Sequence, residues 1–198
     1  MSGNGSRSSG ALGMWLFIAT EILLFGGLFL LYSIYRLKNP SEFHSASLAL
    51  SRFFGTLNTV ILITSSFTVA LSIHFMKVAR TRLAAALLVA TVLFALGFLV
   101  VKAIEWTAKF EHGIYPNAAA LLARPRGEIL YFGLYYMMTG LHAVHVIVGI
   151  GVLTFVLVWI ARGKITAQRF VIHENAGLYW HLVDIIWIFL FPLFYLLT

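Results

Sequence analysis

Glu21, His142, His145, Glu174, His181 and Asp184 are the residues of this chain whose types and positions invite chemistry, because each stands in or beside a long apolar stretch. A charged side chain at a bilayer centre costs about 2.5–3.5 kcal/mol on insertion scales, so it normally faces a partner helix or water. Glu21 lies near the middle of the first apolar run. A carboxylic acid there either holds two helices together through an internal hydrogen bond or serves as a proton-exchanging or lipid-organising group. His142 and His145 belong to a set, Tyr135, Met138, His142, His145 and Gly149, whose 3-4-3-4 spacing puts all five on one helical stripe facing protein. Glu174, His181 and Asp184 are separated by seven and three residues and share one side of the last run, where His181 and Asp184 can interact. Asn58, Ser65, Thr68 and Ser72 repeat the same spacing on the second run and supply interhelical hydrogen-bonding groups. These stripes describe a helical bundle with a polar seam.

Other chemistries lack their ligands. A di-iron site in a bundle needs Glu-x-x-His on two helices, and no Glu in this chain has a His three residues on. Axial haem histidines come from facing positions, whereas His142 and His145 occupy one turn. Satisfied interhelical histidines are therefore the favoured reading, and no metal site is expected. Cysteine is absent, which removes disulfides, thiolate metal sites and iron–sulfur clusters. Lys102, Glu105 and Lys109, at i, i+3 and i+4 separations, read as an ion-pair set at the membrane interface. No phosphate loop, nucleophile elbow or zinc signature is present.

The elements that must position these residues follow from composition. Of 198 residues, 61% are hydrophobic and 11% charged, against about 45–50% and 25% in ordinary soluble domains. At about 20 residues per crossing, the expected fold is all-α, a polytopic five-helix membrane bundle with helices near 11–35, 53–76, 83–106, 129–160 and 175–197. The bundle forms one domain over 11–198, behind a polar tail over 1–10 that lacks the h-region and cleavage site of a signal peptide. Ala118–Ala123, in the longest connection, reads as a short interfacial helix. The formal charge of +7 is assigned to loops beside lipid headgroups rather than to nucleic-acid binding. Seven Lys/Arg fall on the N-terminal side and six on the other, a margin that leans toward a cytoplasmic N-terminus.

Several segments resemble subunit III of the haem–copper oxidases, the cytochrome c and quinol oxidases. Gly13-Met14-Trp15-Leu16-Phe17-Ile18-Ala19-Thr20-Glu21 is similar to the family's helix with an intramembrane Glu. Leu57-Asn58-Thr59 resembles the start of its next helix, and Glu105-Trp106 the Glu-aromatic pair closing the one after. Gly140-Leu141-His142-Ala143-Val144-His145 resembles the Gly-x-His-x-x-His segment. Tyr179-Trp180-His181-Leu182-Val183-Asp184-Ile185-Ile186-Trp187 matches Trp-His-x-Val-Asp-x-x-Trp, with Glu174 at the preceding acid. Long members have two further helices before the Glu-bearing one, and this chain resembles the five-helix bacterial form.

The resemblance implies a subunit without redox centres, the haem and copper residing in subunits I and II. It implies packing on subunit I, bound phospholipid, and a link to proton supply, oxygen access and durable turnover. The implied location is the bacterial inner membrane, with the N-terminus cytoplasmic and the C-terminus outside. Neither the electron donor nor membership of a larger respiratory supercomplex is written in the residues. Two other classes use the same features: an accessory protein of another membrane oxidoreductase, such as nitric oxide reductase, and a small proton-coupled transporter working through Glu21 and the His/Asp seam. Transporters typically carry inverted repeats and interrupted helices, and this sequence offers neither clearly.

Overall fold

The computed structural model describes the backbone of residues 3–197 and the side chains of residues 12–197. Part of the tail expected over 1–10 therefore lies outside the described residues, and from Gly3 the backbone already belongs to the first helix. Seven α-helices follow in order: α1 (Gly3–Lys38), α2 (Pro40–Leu48), α3 (Arg52–Lys77), α4 (Thr81–Glu111), α5 (Ala119–Leu122), α6 (Arg126–Ala161) and α7 (Val171–Phe191), which continues into a π-helical turn, Pro192–Leu196. Five are long and apolar enough to cross a membrane: α1 from Leu12, α3, α4, α6, and α7 with its π turn. No strand occurs among the described residues.

Burial is unequal because the sequence places its large side chains unequally. Helix α7 brings Tyr179, Trp180, Trp187 and Leu190 to the centre, and 56% of its most apolar window is enclosed, against 6% for α1. Helices α3 and α4 form an antiparallel hairpin with the most extensive contact in the molecule, and α7 packs against both α3 and α6. Gly149 allows the close crossing of α6 and α7, since a Cβ there would stand 2.7 Å from the enclosed Trp180 ring. Helix α1 lies on the outside, against α6 and α7.

Two local features depart from the sequence reading. Pro40 closes α1 as a breaker should, yet it also opens α2, because a proline suits a first helical position where no N–H is needed. Helix α2 then lays the Glu42 carboxylate against the Gly127 N–H at the start of α6, where free amides and the helix dipole favour an anion. At the other end of the chain, Pro192 cannot donate a backbone hydrogen bond, and the α-helix gives way to a π turn closed by Leu197 N–H to the Pro192 carbonyl at 2.8 Å. Tyrosines satisfy carbonyls in that turn: Tyr32 donates to Leu193 at 2.6 Å and Tyr131 to Phe194 at 2.7 Å.

Helices α3, α4 and α6 end alike. In each, two successive amides turn back onto the last-turn carbonyls, and the residue between them adopts a left-handed conformation. Gly113 (φ 65°) and Gly163 (φ 67°) do so without a Cβ, whereas α3 uses Ala79 (φ 59°), with Ala79 N–H to Met76 at 3.1 Å and Arg80 N–H to Phe75 at 2.9 Å. Replacing Ala79 with Gly removes that steric cost and is expected to stabilise the chain by about 0.5–1 kcal/mol, read as a higher unfolding temperature in detergent; an unchanged or lower temperature contradicts this account of the turn.

Candidate functional site

The polar side chains predicted to form one seam are distributed over separate interhelical pairs. Glu21 on α1 meets His145 on α6, with Oε2 3.0 Å from Nε2, both side chains mostly enclosed. His145 Nδ1 lies 2.8 Å from the Leu141 carbonyl. A carbonyl only accepts, so Nδ1 carries a proton, and the Glu21–His145 contact then needs one more proton, on the carboxyl or on Nε2. With that proton in place, the contact is a hydrogen bond that ties α1 to α6.

His142, one turn before, is enclosed by aromatic rings instead: Phe98 at 5.5 Å and Trp187 at 5.3 Å between centroids, with neither ring nitrogen hydrogen-bonded among the described residues. His181 does not pair with Asp184 as expected. Its Nδ1 is 2.7 Å from Ser66 Oγ on α3, and the same Ser66 hydroxyl is the hydrogen-bonding group beside the buried Asp184 carboxyl. Glu174 is not brought inside at all. It sits in the first turn of α7, its Oε1 2.8 Å from Lys77 Nζ with both side chains partly exposed, because the helix begins at Val171 and leaves position 174 near the rim.

The α3 stripe does join helices. Trp180 Nε1 donates to Ser65 Oγ at 3.0 Å, Trp187 Nε1 to Thr59 Oγ1 at 3.0 Å, and Thr68 meets Thr91 at 2.8 Å. Ser72 Oγ lies 3.1 Å from Nε2 of His173, a fully buried histidine that the periodicity argument passed over. Asn58, in the same stripe, is buried with no hydrogen-bond partner among the described residues.

The densest polar cluster surrounds the ion pair expected at the membrane interface. Lys102 and Glu105 are only 3% exposed, with Nζ 3.1 Å from Oε2. Tyr195 donates to Glu105, 2.7 Å from Oε1, and Tyr135 reaches the same oxygen at 3.0 Å. The two phenol oxygens also accept from Lys102 at 2.8 and 3.0 Å. The Lys102 ammonium lies 4.8 Å from the Tyr135 ring centroid and 5.1 Å from that of Trp187, distances at which a desolvated cation is attracted to the ring face. The Lys102–Glu105 ion pair expected at i, i+3 forms, enclosed by the bundle, because α4 continues to Glu111 and both residues lie well inside its end. Lys109 does not bond Glu105; it donates to the Ala49 carbonyl at 3.1 Å. Tyr195 was illegible as a member, since it arrives only through the π turn after Pro192. Among the described residues no group of three or more His, Asp and Glu converges as a metal site.

The chain matches the family described as cytochrome c oxidase subunit III over residues 6–198, and it belongs to that family. It is 32% identical to a cytochrome c oxidase subunit 3 of Thermostichus vulcanus over 94% of this chain and 87% of that protein. It is 28% identical to quinol oxidase subunit 3 of Bacillus subtilis over 94% of this chain and 86% of that one. It is also 31% identical to a heme-copper oxidase subunit I+III of Aeropyrum pernix over 92% of this chain, spanning 22% of that longer protein.

The unequal pairing makes a direct comparison. Trp180→Phe removes the donor to Ser65 and is expected to cost about 0.6 kcal/mol, the average for interhelical hydrogen bonds in a bundle. His142→Phe replaces two unpaired buried nitrogens with an apolar ring and is expected to be neutral or stabilising. Thermal unfolding of both variants in one detergent checks the order, and a larger loss at His142 contradicts it.

Proposed function

We propose that the chain is the non-redox subunit III of a respiratory haem–copper terminal oxidase, a cytochrome c oxidase, in the bacterial inner membrane with its N-terminus in the cytoplasm. It packs on subunit I beside subunit II, which between them hold the haem and copper, and it supports aerobic electron transport coupled to proton translocation. The observation that carries this reading is the family match across residues 6–198. The Aeropyrum relative, whose name joins subunits I and III, supports packing on subunit I. A quinol oxidase is the second reading, favoured by the Bacillus subtilis relative.

Within that reading the residues divide their work. Glu21 and His145 hold one proton between α1 and α6, which suits a proton-linked role in the polar interior with His142, His181 and Asp184. Glu174 acts at the rim. A cavity of about 390 Å³ between α1 and α7, lined by Trp15, Ile22, Phe29, Leu182, Ile185 and Phe189 among others, suits phospholipid acyl chains. Because α1 is mostly unburied within this chain, lipid and partner subunits would cover it.

Purification of the tagged chain in mild detergent is expected to bring haem absorbance and subunits I and II with it, whereas a haem-free chain contradicts the assignment. In the assembled oxidase, Glu21→Ala is expected to leave initial turnover near normal and to hasten inactivation during sustained turnover. Unchanged lipid content and inactivation rate would remove any role for Glu21 beyond packing.

A further inference from the structure

The Lys102–Glu105 cluster holds a chemistry that packing does not require. A phenol gives up an electron readily only when its proton can leave with it, so the group accepting its hydrogen bond decides whether it can be oxidised. Three other tyrosines donate to backbone carbonyls, which are too weakly basic to take a proton: Tyr32 to Leu193, Tyr131 to Phe194 and Tyr136 to Ile114. Tyr135 and Tyr195 differ. Both donate to the Glu105 carboxylate, at 3.0 and 2.7 Å, and a carboxylate is a base that takes a proton across a hydrogen bond of that length.

The same two phenols are the inner end of a line of aromatic rings. Trp106, partly exposed in the last third of α4, has its ring 5.6 Å from Tyr136; Tyr136 lies 5.2 Å from Tyr135, and Tyr135 6.4 Å from Tyr195, between centroids. Each step falls in the contact range of about 4.5–7 Å for aromatic pairs, so an electron hops from ring to neighbouring ring. The outer ring cannot keep the vacancy. Trp106 Nε1 is buried with no hydrogen-bond acceptor among the described residues, so an oxidised Trp106 has no base for its proton, whereas Tyr135 and Tyr195 have Glu105. Lys102 sets the threshold. Its ammonium, 3.0 and 2.8 Å from the two phenol oxygens, opposes any rise in positive charge beside it, so only a strong oxidant draws on the pair.

We propose that Tyr135, Tyr195 and Glu105 form a redox-active site that scavenges oxygen-centred radicals, peroxyl radicals by class, arriving at Trp106. Trp106 gives one electron to the peroxyl radical, which takes a proton from water and leaves as a hydroperoxide. Tyr136 and then Tyr135 or Tyr195 refill the vacancy. The last phenol passes its proton to Glu105, and the site rests as a neutral tyrosyl radical beside a carboxylic acid, one peroxyl radical having been reduced and one tyrosine oxidised. A quinol at Trp106 returns the electron and loses a proton to water, and the Glu105 proton goes back to the phenoxyl oxygen. The site is built from residues of this chain alone, so it does not depend on which oxidase the chain serves.

The cysteine-free sequence provides a clean test on the full chain in lipid nanodiscs. Thr107→Cys, exposed beside Trp106, carries a ruthenium polypyridyl photo-oxidant, and electron paramagnetic resonance after a flash, with an electron acceptor present, reads the radical. A tyrosyl signal is expected, narrowed when the tyrosines carry ring deuterium. In the labelled chain, Trp106→Phe, which removes no hydrogen bond, is expected to lower its yield, and Tyr135→Phe combined with Tyr195→Phe to abolish it. A parent chain without a tyrosyl signal, or a double variant with an undiminished one, overturns the site, and an unchanged yield in Trp106→Phe overturns the route. The parent chain decides the matter if the double variant does not fold: infrared difference spectra are expected to show a protonated carboxyl appearing with the radical and shifting on isotopic labelling of glutamate. A radical without that carboxyl overturns Glu105 as proton acceptor. Peroxyl radicals from a thermal azo initiator are expected to give the same tyrosyl signal in the unlabelled chain, and oxidation confined to Trp106 overturns the scavenging role. A chain that purifies without haem removes the subunit reading and leaves each of these outcomes to be read as stated.

Discussion

Hydrocarbon supplies no hydrogen bonds, and that constraint organises this molecule. Backbone groups are satisfied within helices, so each polar side chain inside the bundle becomes a decision about which helix lies next to which. Trp180 and Trp187 reach across to Ser65 and Thr59 and join α7 to α3. Glu21 and His145 tie the outer helix α1 to α6. The strongest case is the Lys102–Glu105 pair, which gathers Tyr135 from α6 and Tyr195 from the end of α7 around α4. Two charges removed from water are tolerable only when their remaining hydrogen-bonding sites are met, and here the tyrosines meet them.

The crossings were legible because long apolar runs have few other solutions in a chain so poor in charge. The α3 stripe was legible because Ser65, Thr68 and Ser72 sit at helical spacing and the structure uses all three. The Lys102–Glu105 pair was legible from its i, i+3 spacing but its burial was not, since a span of 83–106 puts both charges in the last turns whereas α4 continues to Glu111. Tyr195 depends on a π turn that periodicity cannot express, and α2 on a proline that both ends one helix and begins another. Glu174 shared a face with His181 and Asp184, but a shared face says nothing of depth, and Lys77 was waiting at the rim.

Membership in the subunit III family accounts for the economy of the chain. On the proposed reading, a subunit that leaves redox chemistry to its partners needs no convergent ligand set of its own, and its acids and histidines serve packing between helices. The polar groups then fall into two kinds. Those of the Lys102 cluster are satisfied within the chain and hold it together. Asn58 and His142 are instead enclosed without a hydrogen-bond partner among the described residues.

The central claim, that a polar group buried in the bundle must find its partner there, is tested most directly by a double-mutant cycle at Lys102 and Glu105, neighbours on α4, followed by thermal unfolding. Lys102→Met and Glu105→Leu are each predicted to destabilise by about 3–5 kcal/mol, because each leaves an uncompensated buried charge, while the double variant recovers most of the loss. Additive losses, or single variants with no effect, would contradict the account.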